Sequence, residues 1–338
     1  NGGRGLMPKN DEQMLIQAFL RLSLPGEDKV HGVVPEPVYG DQLQSQSVAL
    51  AHQLRTSISA QKLKSKEVAP EAYVYIDWQK KTFQYPDGEQ LNLRYPKVLI
   101  KNLGYGELHP ETLTSLRNAP PLQGVGLLEL IAQQEINDYA DPDDTNEDGI
   151  SGRVNQVWDF EAKKTTAGRF GLKANKASVR FQTAGAFADD VGITNPVFPH
   201  QPCTEQQELC NRTPSGVDES EDGEVAVELP ESLLSLVVNF TRSLGVPERR
   251  NINDSAVKDG RKLFYQSGCN QCHRPSYVTM KSSELPHLSE QKIWPYTDLL
   301  LHDMGEDLAD GRPDYQASGS EWRTPPLWGV GLGAEVNG

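Results

Sequence analysis

The first third of the chain is patterned for β-strands. Over residues 14–24, apolar side chains recur at every second position, which is the period of a half-buried strand. Two further apolar-rich runs, 73–78 and 91–100, flank Tyr85-Pro86-Asp87-Gly88, where Pro and Gly suit a tight turn. The pattern therefore predicts one strand followed by a β-hairpin over 72–103.

Farther along the chain the apolar spacing changes to that of helices. Apolar residues repeat at helical intervals over 127–139 and over 232–244, and Pro230 stands near a position that starts helices well. A third helix is expected over 254–266, ending immediately before a pair of cysteines. The spacing thus predicts that the second half of the chain is mainly helical.

The charge of the chain limits the classes of partner that it can bind. It has 338 residues and a formal net charge of −14. Nucleic-acid phosphates and anionic membrane surfaces need a basic face, so we expect no nucleic-acid partner. No apolar run approaches the roughly 20 residues of a membrane-spanning helix, so no membrane span is expected. The acidic stretch 204–228 is predicted to be an exposed loop near a domain boundary.

Cys269, Cys272 and His273 form a C-x-x-C-H motif. In this arrangement two thiols bond to the haem vinyl groups and the adjacent His binds the iron. A thioredoxin-like dithiol would need a βαβ setting, and half of a zinc site would need a second Cys or His pair nearby. Neither context is present, so the motif predicts covalently bound haem c.

The sixth ligand of the haem iron is left open by the sequence. Several Met and His residues follow the motif, and either type can serve. Met304 and His302 are the candidates because they follow an apolar run that can project them into a haem pocket. A packed Met or a structural His is an equally common role for such residues. The residues after the motif are Met280, His287, His302 and Met304.

Long stretches of the chain resemble one known family. The helix before the motif carries Gly260, Phe264 and Tyr265, which resemble the glycine-and-aromatic helix at the start of cytochrome c domains. The stretches that carry the family resemblance are 141–153, 168–194, Trp294-Pro295-Tyr296-Thr297-Asp298-Leu299-Leu300-Leu301-His302-Asp303-Met304-Gly305, Ala309-Asp310-Gly311-Arg312-Pro313-Asp314 and Glu321-Trp322-Arg323-Thr324-Pro325-Pro326-Leu327-Trp328-Gly329. With them the chain resembles the di-haem oxidoreductases, also called thiol oxidoreductase-like proteins or di-haem peroxidases, and more distantly the bacterial di-haem cytochrome c peroxidases.

The resemblance implies a fold and a domain division. The fold class is expected to be α+β, with a mainly helical cytochrome c-like domain at 228–338. A β-hairpin-rich N-terminal part at 1–227 would be the remainder of another haem domain. Family members carry a further C-x-x-C-H motif ahead of a segment similar to Gly3-Arg4-Gly5. The sequence is therefore expected to be a fragment that lacks the first haem motif and the C-terminus.

The resemblance also implies a function. Electrons from a donor protein or small redox carrier would enter at one haem and pass to the other, where a small-molecule oxidant such as hydrogen peroxide is reduced. Haem c is assembled outside the cytoplasm, so an exported, periplasmic protein is expected. The peroxidases' distal His has no counterpart at 165–168, which counts against peroxide cleavage by the same set of residues. The alternative function is an electron-transfer cytochrome without its own substrate site.

Calcium is expected at two places. In the peroxidase relatives an ion between the haem domains is held by an Asn and a Thr-Pro-x motif, which Asn175, Thr324 and Pro326 resemble. Independently, the loop 141–150 places oxygen donors at alternate positions, as calcium loops do, with a solvated acidic loop as the alternative. The candidate ligands in that loop are Asp141, Asp143, Asn146 and Asp148.

The remaining two cysteines lie together in a polar loop. Cys203 and Cys210 are separated by six residues, which suits a short disulfide in an oxidising compartment. Free thiols are the alternative. A disulfide here would agree with the export that haem c requires.

Overall fold

The computed structural model describes residues 7–15, 18–45, 70–212, 216–217 and 226–333. Its strands are β1 Phe19–Ser23, β2 Gln42–Leu43, β3 Tyr73–Gln84, β4 Gln90–Lys101, β5 Leu113–Arg117, β6 Gln156–Asp159, β7 Lys164–Ala167, β8 Tyr277–Val278, β9 Lys292–Ile293, β10 Leu301–Asp303 and β11 Glu321–Arg323. Its helices are α1 Val125–Glu129, α2 Gln133–Asn137, α3 Val179–Gly185, which a π-helical turn Ala186–Asp190 continues, α4 Glu208–Arg212, α5 Glu231–Arg242 and α6 Ser255–Gln266. No helix among these residues is long and apolar enough to cross a membrane.

The strands form small antiparallel sheets. β1 lies between β2 and β5, with Leu20 opposite Leu43 on one side and opposite Leu116 on the other. The remaining strands of the described chain pair as β3 with β4, β6 with β7, β8 with β9 and β10 with β11. Antiparallel pairs need only short connections, so each sheet is built from neighbouring segments, except where β5 returns to β1.

The predicted strand over 14–24 is shorter than expected. Its regular part is β1, whose Leu20 and Leu22 are fully buried beside Val74 and Ile76 of β3. Met14 joins the structure through a single bridge to Tyr75, while residues 16–17 lie outside the described part. The alternation located the strand correctly because every second side chain enters the same core.

The predicted β-hairpin is confirmed. β3 and β4 pair in register from Tyr73 opposite Lys101 to Gln84 opposite Gln90. Its base packs Val74 and Ile76 into the core, whereas the part nearest the turn extends into solvent. The turn lies where Pro and Gly predicted it.

The helix predicted over 127–139 is instead two short helices, α1 and α2. The guanidinium of Arg169 donates to the carbonyls of Leu128 at 2.9 Å, Glu129 at 2.7 Å and Ile131 at 2.9 Å. These carbonyls lie at and just beyond the C-terminal end of α1. Because a buried cation binds them, the backbone turns there before α2 begins.

The other two predicted helices are confirmed as α5 and α6. α5 buries Leu234 and Val238 against α3 and also crosses α1. The crossing with α1 is close: a Cβ atom on Gly126 would lie 2.2 Å from the carbonyl oxygen of Arg242. Glycine is required at 126 for this contact.

The expected fold class, α+β with a mainly helical cytochrome c-like C-terminal domain, is wrong. Of the described residues, 21% are helical and 23% are in strands, in six short helices and small antiparallel sheets. After α6 the described chain has short strands, single 3-10 turns and loops. Proline removes a backbone donor and ends helices. The prolines that interrupt this region are Pro275, Pro286, Pro295, Pro313, Pro325 and Pro326.

A buried charge network joins β5 to the loop before β11. Asp314 accepts from Arg117 and lies 3.2 Å from Arg312, and all three side chains are almost fully buried. Burial alone would raise the pKa of Asp314, but Arg117 and Arg312 hold it well below its usual range. The fully buried Lys173 lies nearby, 3.0 Å from Asp310. In this network the free-energy cost of burying each charge is offset by the opposite charges beside it.

The acidic stretch expected to be a loop contains one helix. Cys203 and Cys210 are disulfide-bonded at a Cα–Cα distance of 5.9 Å, and α4 begins inside the loop they close. Within it Gln207 is buried and donates to Glu71, whose pKa burial raises to about 7. The most acidic part, 218–224, lies outside the described residues, and the division at 227 stays a prediction.

Removing the disulfide is expected to destabilise the protein measurably. The double change Cys203→Ser and Cys210→Ser should lower the free energy of unfolding by about 2–3 kcal/mol, because a short cross-linked loop is released in the unfolded chain. Urea unfolding of the wild type with and without dithiothreitol measures this. Dithiothreitol should have no further effect on the stability of the double variant. If dithiothreitol lowered the free energy of unfolding equally in the wild type and the double variant, the Cys203–Cys210 disulfide would not be the cause.

Candidate haem-attachment site

The motif at 269–273 is presented by the end of α6. The Asp254 side chain accepts from the backbone N–H of Ala256 at 2.8 Å, which caps the start of the helix. After the helix ends, Gly268 adopts φ +74° and turns the chain into a 3-10 turn, Cys269–Gln271. Glycine adopts this left-handed conformation at little energetic cost because it has no side chain. The turn brings the backbone N–H of His273 to 2.9 Å from the Cys269 carbonyl.

The imidazole of His273 is oriented by the backbone. Its Nδ1 lies 2.8 Å from the carbonyl oxygen of Tyr296, so Nδ1 donates and Nε2 is left as the acceptor atom. Tyr296 holds this carbonyl in place with φ +53°, an uncommon backbone conformation for tyrosine. Phe264 of α6 packs at ring-centroid distances of 6.4 Å from His273 and 5.5 Å from Tyr296. This arrangement prepares Nε2 to bind a metal.

The surroundings of the two thiols fit a large apolar group. Neither Cys269 nor Cys272 is in a disulfide, and Cys269 is exposed. α6 is amphipathic but buries none of its residues. Large apolar side chains of α6 and of the segment after the motif are exposed, and exposed apolar surface is typical of binding sites. They include Leu263, Val278, Met280 and Trp294, each at least 45% exposed. Two free thiols, a poised imidazole and uncovered apolar surface together fit haem.

His302 lies beside the motif, with both ring nitrogens engaged. Nε2 is 2.7 Å from Oδ2 of Asp298, and Nδ1 is 3.0 Å from the Ser151 carbonyl and 3.8 Å from Sγ of Cys272. Burial alone would lower the pKa of His302, but Asp298 and Cys272 raise it to about 10. The other candidate axial ligand, Met304, is 48% exposed on the loop after β10. The structure therefore brings His302, not Met304, to the motif.

The candidate calcium loop uses its side-chain oxygens to close its own turns. Asp141 accepts from the backbone N–H and the hydroxyl of Thr145, both at 2.9 Å, and these bonds, chiefly the one from the N–H, lower the pKa of Asp141. Asn146 accepts from the N–H of Asp148 in the same way, and Asp143 is exposed. No group of three or more His, Cys, Asp or Glu in the described ranges is placed to hold a metal ion.

The loop nevertheless contacts the motif. Gln271 donates to Oδ2 of Asp148 at 3.3 Å, and Ser151 follows directly with its carbonyl on His302. The loop therefore lies at the edge of the motif. Calcium in it stays a prediction.

The residues predicted to bind an inter-domain calcium lie elsewhere. Asn175 donates to Oδ1 of Asp314 at 3.2 Å, in the buried charge network. The carbonyl of Thr324 accepts from the Thr297 hydroxyl at 2.6 Å, and Pro326 is two residues farther along the chain. This site also stays a prediction.

Sequence reasoning did not find Tyr296, Asp298 and Ser151 as parts of the site. Tyr296 and Ser151 act through backbone carbonyls, which leave no trace in residue type. Asp298 stands four residues before His302, a spacing that indicates a contact within a helix. Here the contact is made instead by a loop that leads into β10, with Leu299 at φ +63°.

The sequence as a whole matches one family model, described as "Di-haem oxidoreductase, putative peroxidase", over residues 18–338. No curated protein and no solved structure matches the chain.

Proposed function

The chain belongs to the di-haem oxidoreductase family, and from this premise we propose that it is an exported oxidoreductase that binds haem c at Cys269, Cys272 and His273 and reduces a small oxidant such as hydrogen peroxide. The observation that carries the proposal is the pair of free thiols beside an imidazole whose Nδ1 is fixed 2.8 Å from the Tyr296 carbonyl. A zinc or dithiol site would not need this orientation together with uncovered apolar surface.

The roles of the residues follow from their atoms. Cys269 and Cys272 would hold the haem through thioether bonds, and Nε2 of His273 would bind its iron. The bound haem would supply one-electron transfer and the reduction of peroxide. Tyr296 orients the imidazole and increases its basicity through the Nδ1–H bond. Reduction of one hydrogen peroxide to two waters takes two electrons and two protons, which an external donor protein or small redox carrier must deliver.

Export to the periplasm is part of the proposal. The Cys203–Cys210 disulfide supports it, because disulfides persist in oxidising compartments. The acidic net charge of −14 favours a donor with a basic surface. Calcium is proposed as a further ion of the protein on the basis of the loop at 141–150 and of Asn175.

Absorption spectroscopy tests the function. The native-length protein, matured in a host that assembles haem c, should show covalently bound haem, with one high-spin haem whose spectrum changes on adding hydrogen peroxide. A spectrum in which every haem is low-spin and unchanged by peroxide would indicate an electron-transfer cytochrome without a substrate site. No Soret band would contradict haem binding altogether.

A further inference from the structure

The outer part of the β3–β4 hairpin extends from the molecule as a two-stranded arm. Every residue in 80–97 is exposed, and no other strand in the described part of the chain pairs with β3 or β4. A two-stranded hairpin on its own is only marginally stable in water. An arm of this length is therefore expected to pack against a further surface.

One face of the arm is apolar. The register places Phe83 opposite Leu91 and Lys81 opposite Leu93, so these side chains lie on the same face. The ring of Tyr85 contacts that of Phe83, with 5.0 Å between their centroids. The large apolar side chains of this face, which we call the apolar arm face, are each 42–52% exposed: Phe83, Tyr85, Leu91, Leu93 and Tyr95.

The opposite face of the arm is polar. There the Thr82 hydroxyl donates to Oδ1 of Asn92 at 3.1 Å, and the Arg94 guanidinium lies 4.3 Å from the centre of the Trp78 ring. These side chains have partners within the hairpin, whereas those of the apolar arm face are left in solvent. A group of exposed apolar side chains on one face is typical of a surface that binds another protein.

The charge of the hairpin indicates which protein can bind there. Residues 73–101 carry five Lys or Arg against three Asp or Glu, whereas the whole chain has a net charge of −14. Two copies of the chain therefore repel each other over most of their surface, and least at the hairpin. At the edge of the apolar arm face Lys81 pairs with Asp307, so both signs of charge border it. Such a patch is able to face a second copy of itself.

The area of the apolar arm face also suits a dimer. Five large side chains that are each about half exposed offer roughly 450 Å² of surface. A two-fold dimer uses the same patch twice, which gives roughly 900 Å², close to the lower bound of about 1,000 Å² for a specific interface. Leu308, which follows Asp307 and is 58% exposed, adds to this area.

We propose that the apolar arm face is a dimerisation surface, at which the arms of two copies of this chain pack face to face about a two-fold axis. The proposal goes beyond the proposed function and does not depend on haem. Packing the two faces together removes the apolar side chains from water and gives each two-stranded ribbon a second layer. Each arm thereby stabilises the other.

A single charge within the apolar arm face tests the proposal. Leu93→Asp places a carboxylate in the interface of both copies, where burial would leave it without a partner. Sedimentation velocity should show a dimer for the native-length wild type. The dissociation constant of Leu93→Asp should be about 100-fold higher, a loss typical of a central interface residue. The matched control Asn92→Asp adds the same charge on the polar face, one residue away, and should leave the dissociation constant unchanged.

A labelling experiment locates the interface. Hydroxyl radicals should modify Phe83 and Tyr95 several-fold less in the wild-type dimer than in Leu93→Asp, and circular dichroism checks that each variant is folded. A wild type that stays monomeric up to about 0.1 mM, or a dimer that Leu93→Asp leaves intact, would overturn the proposal. A monomer in which Phe83 and Tyr95 are protected would mean that other residues of the same chain cover the face, and would overturn it as well.

Discussion

Changing Cys269 and Cys272 together to alanine is expected to abolish covalent haem at the 269–273 motif. The two thioether bonds are the covalent link, and the single ligand bond from His273 does not survive denaturation. Mass spectrometry of the proteolytic peptide containing His273 measures the effect, which should be complete. Haem staining after denaturing electrophoresis gives a second readout for the whole chain.

The chain supplies a matched control in its other cysteine pair. The double change Cys203→Ser and Cys210→Ser also removes two sulfurs, but from a disulfide remote in sequence from the motif. This variant should keep haem on the motif peptide at the wild-type level when it is folded. Haem that stays on the peptide after Cys269→Ala and Cys272→Ala, or that disappears equally in both double variants, would count against the assignment.

The hypothesis for the chemistry of this site comes from the sequence alone because the residues that carry it are local. Cys269, Cys272 and His273 lie close together in sequence, and the order of residue types predicts a covalent haem motif without knowledge of the fold. The partner of His273 could not be predicted. It is a backbone carbonyl, and its direction depends on the φ of +53° at Tyr296, which no residue preference for tyrosine indicates.

The helices show where tertiary contacts override the bounds that the apolar spacing predicts. The apolar spacing over 127–139 is continuous, yet Arg169, about forty residues after the end of α1, binds the carbonyls there and splits the helix. Such an interaction appears only when the chain is folded. For α5 and α6, no comparable contact intervenes, and the predicted bounds agree with the structure to within two residues.

The overestimate of helix after residue 266 had a different cause. The resemblance to cytochrome c domains suggested helices where the chain has frequent prolines and only short strands. Proline content was visible in the sequence and should have outweighed the analogy, because each proline removes a helix hydrogen bond. A family likeness alone does not fix local secondary structure.

Replacing Asp314 with asparagine is expected to destabilise the fold by about 3–5 kcal/mol, because it leaves buried cations without compensation. Arg117 and Arg312 are 4% and 1% exposed and both bond to this carboxylate. Asparagine keeps the shape and one acceptor oxygen but removes the charge. Urea unfolding at pH 7 measures the difference, with the slope of the transition serving as a check on two-state behaviour.

Two comparisons identify the cause of the stability loss in Asp314→Asn: its dependence on pH, and the effect of breaking an exposed ion pair. Because the folded-state pKa of Asp314 is depressed, its contribution is present above its unfolded pKa of about 3.9 and is lost as pH falls through the folded value. The gap between wild type and Asp314→Asn should therefore stay constant from about pH 5 to 8 and narrow only in acid. Asp307→Asn breaks the exposed pair with Lys81 and should cost less than about 1 kcal/mol. Equal costs for the two variants would mean that the charge of Asp314 does not compensate the buried Arg117 and Arg312.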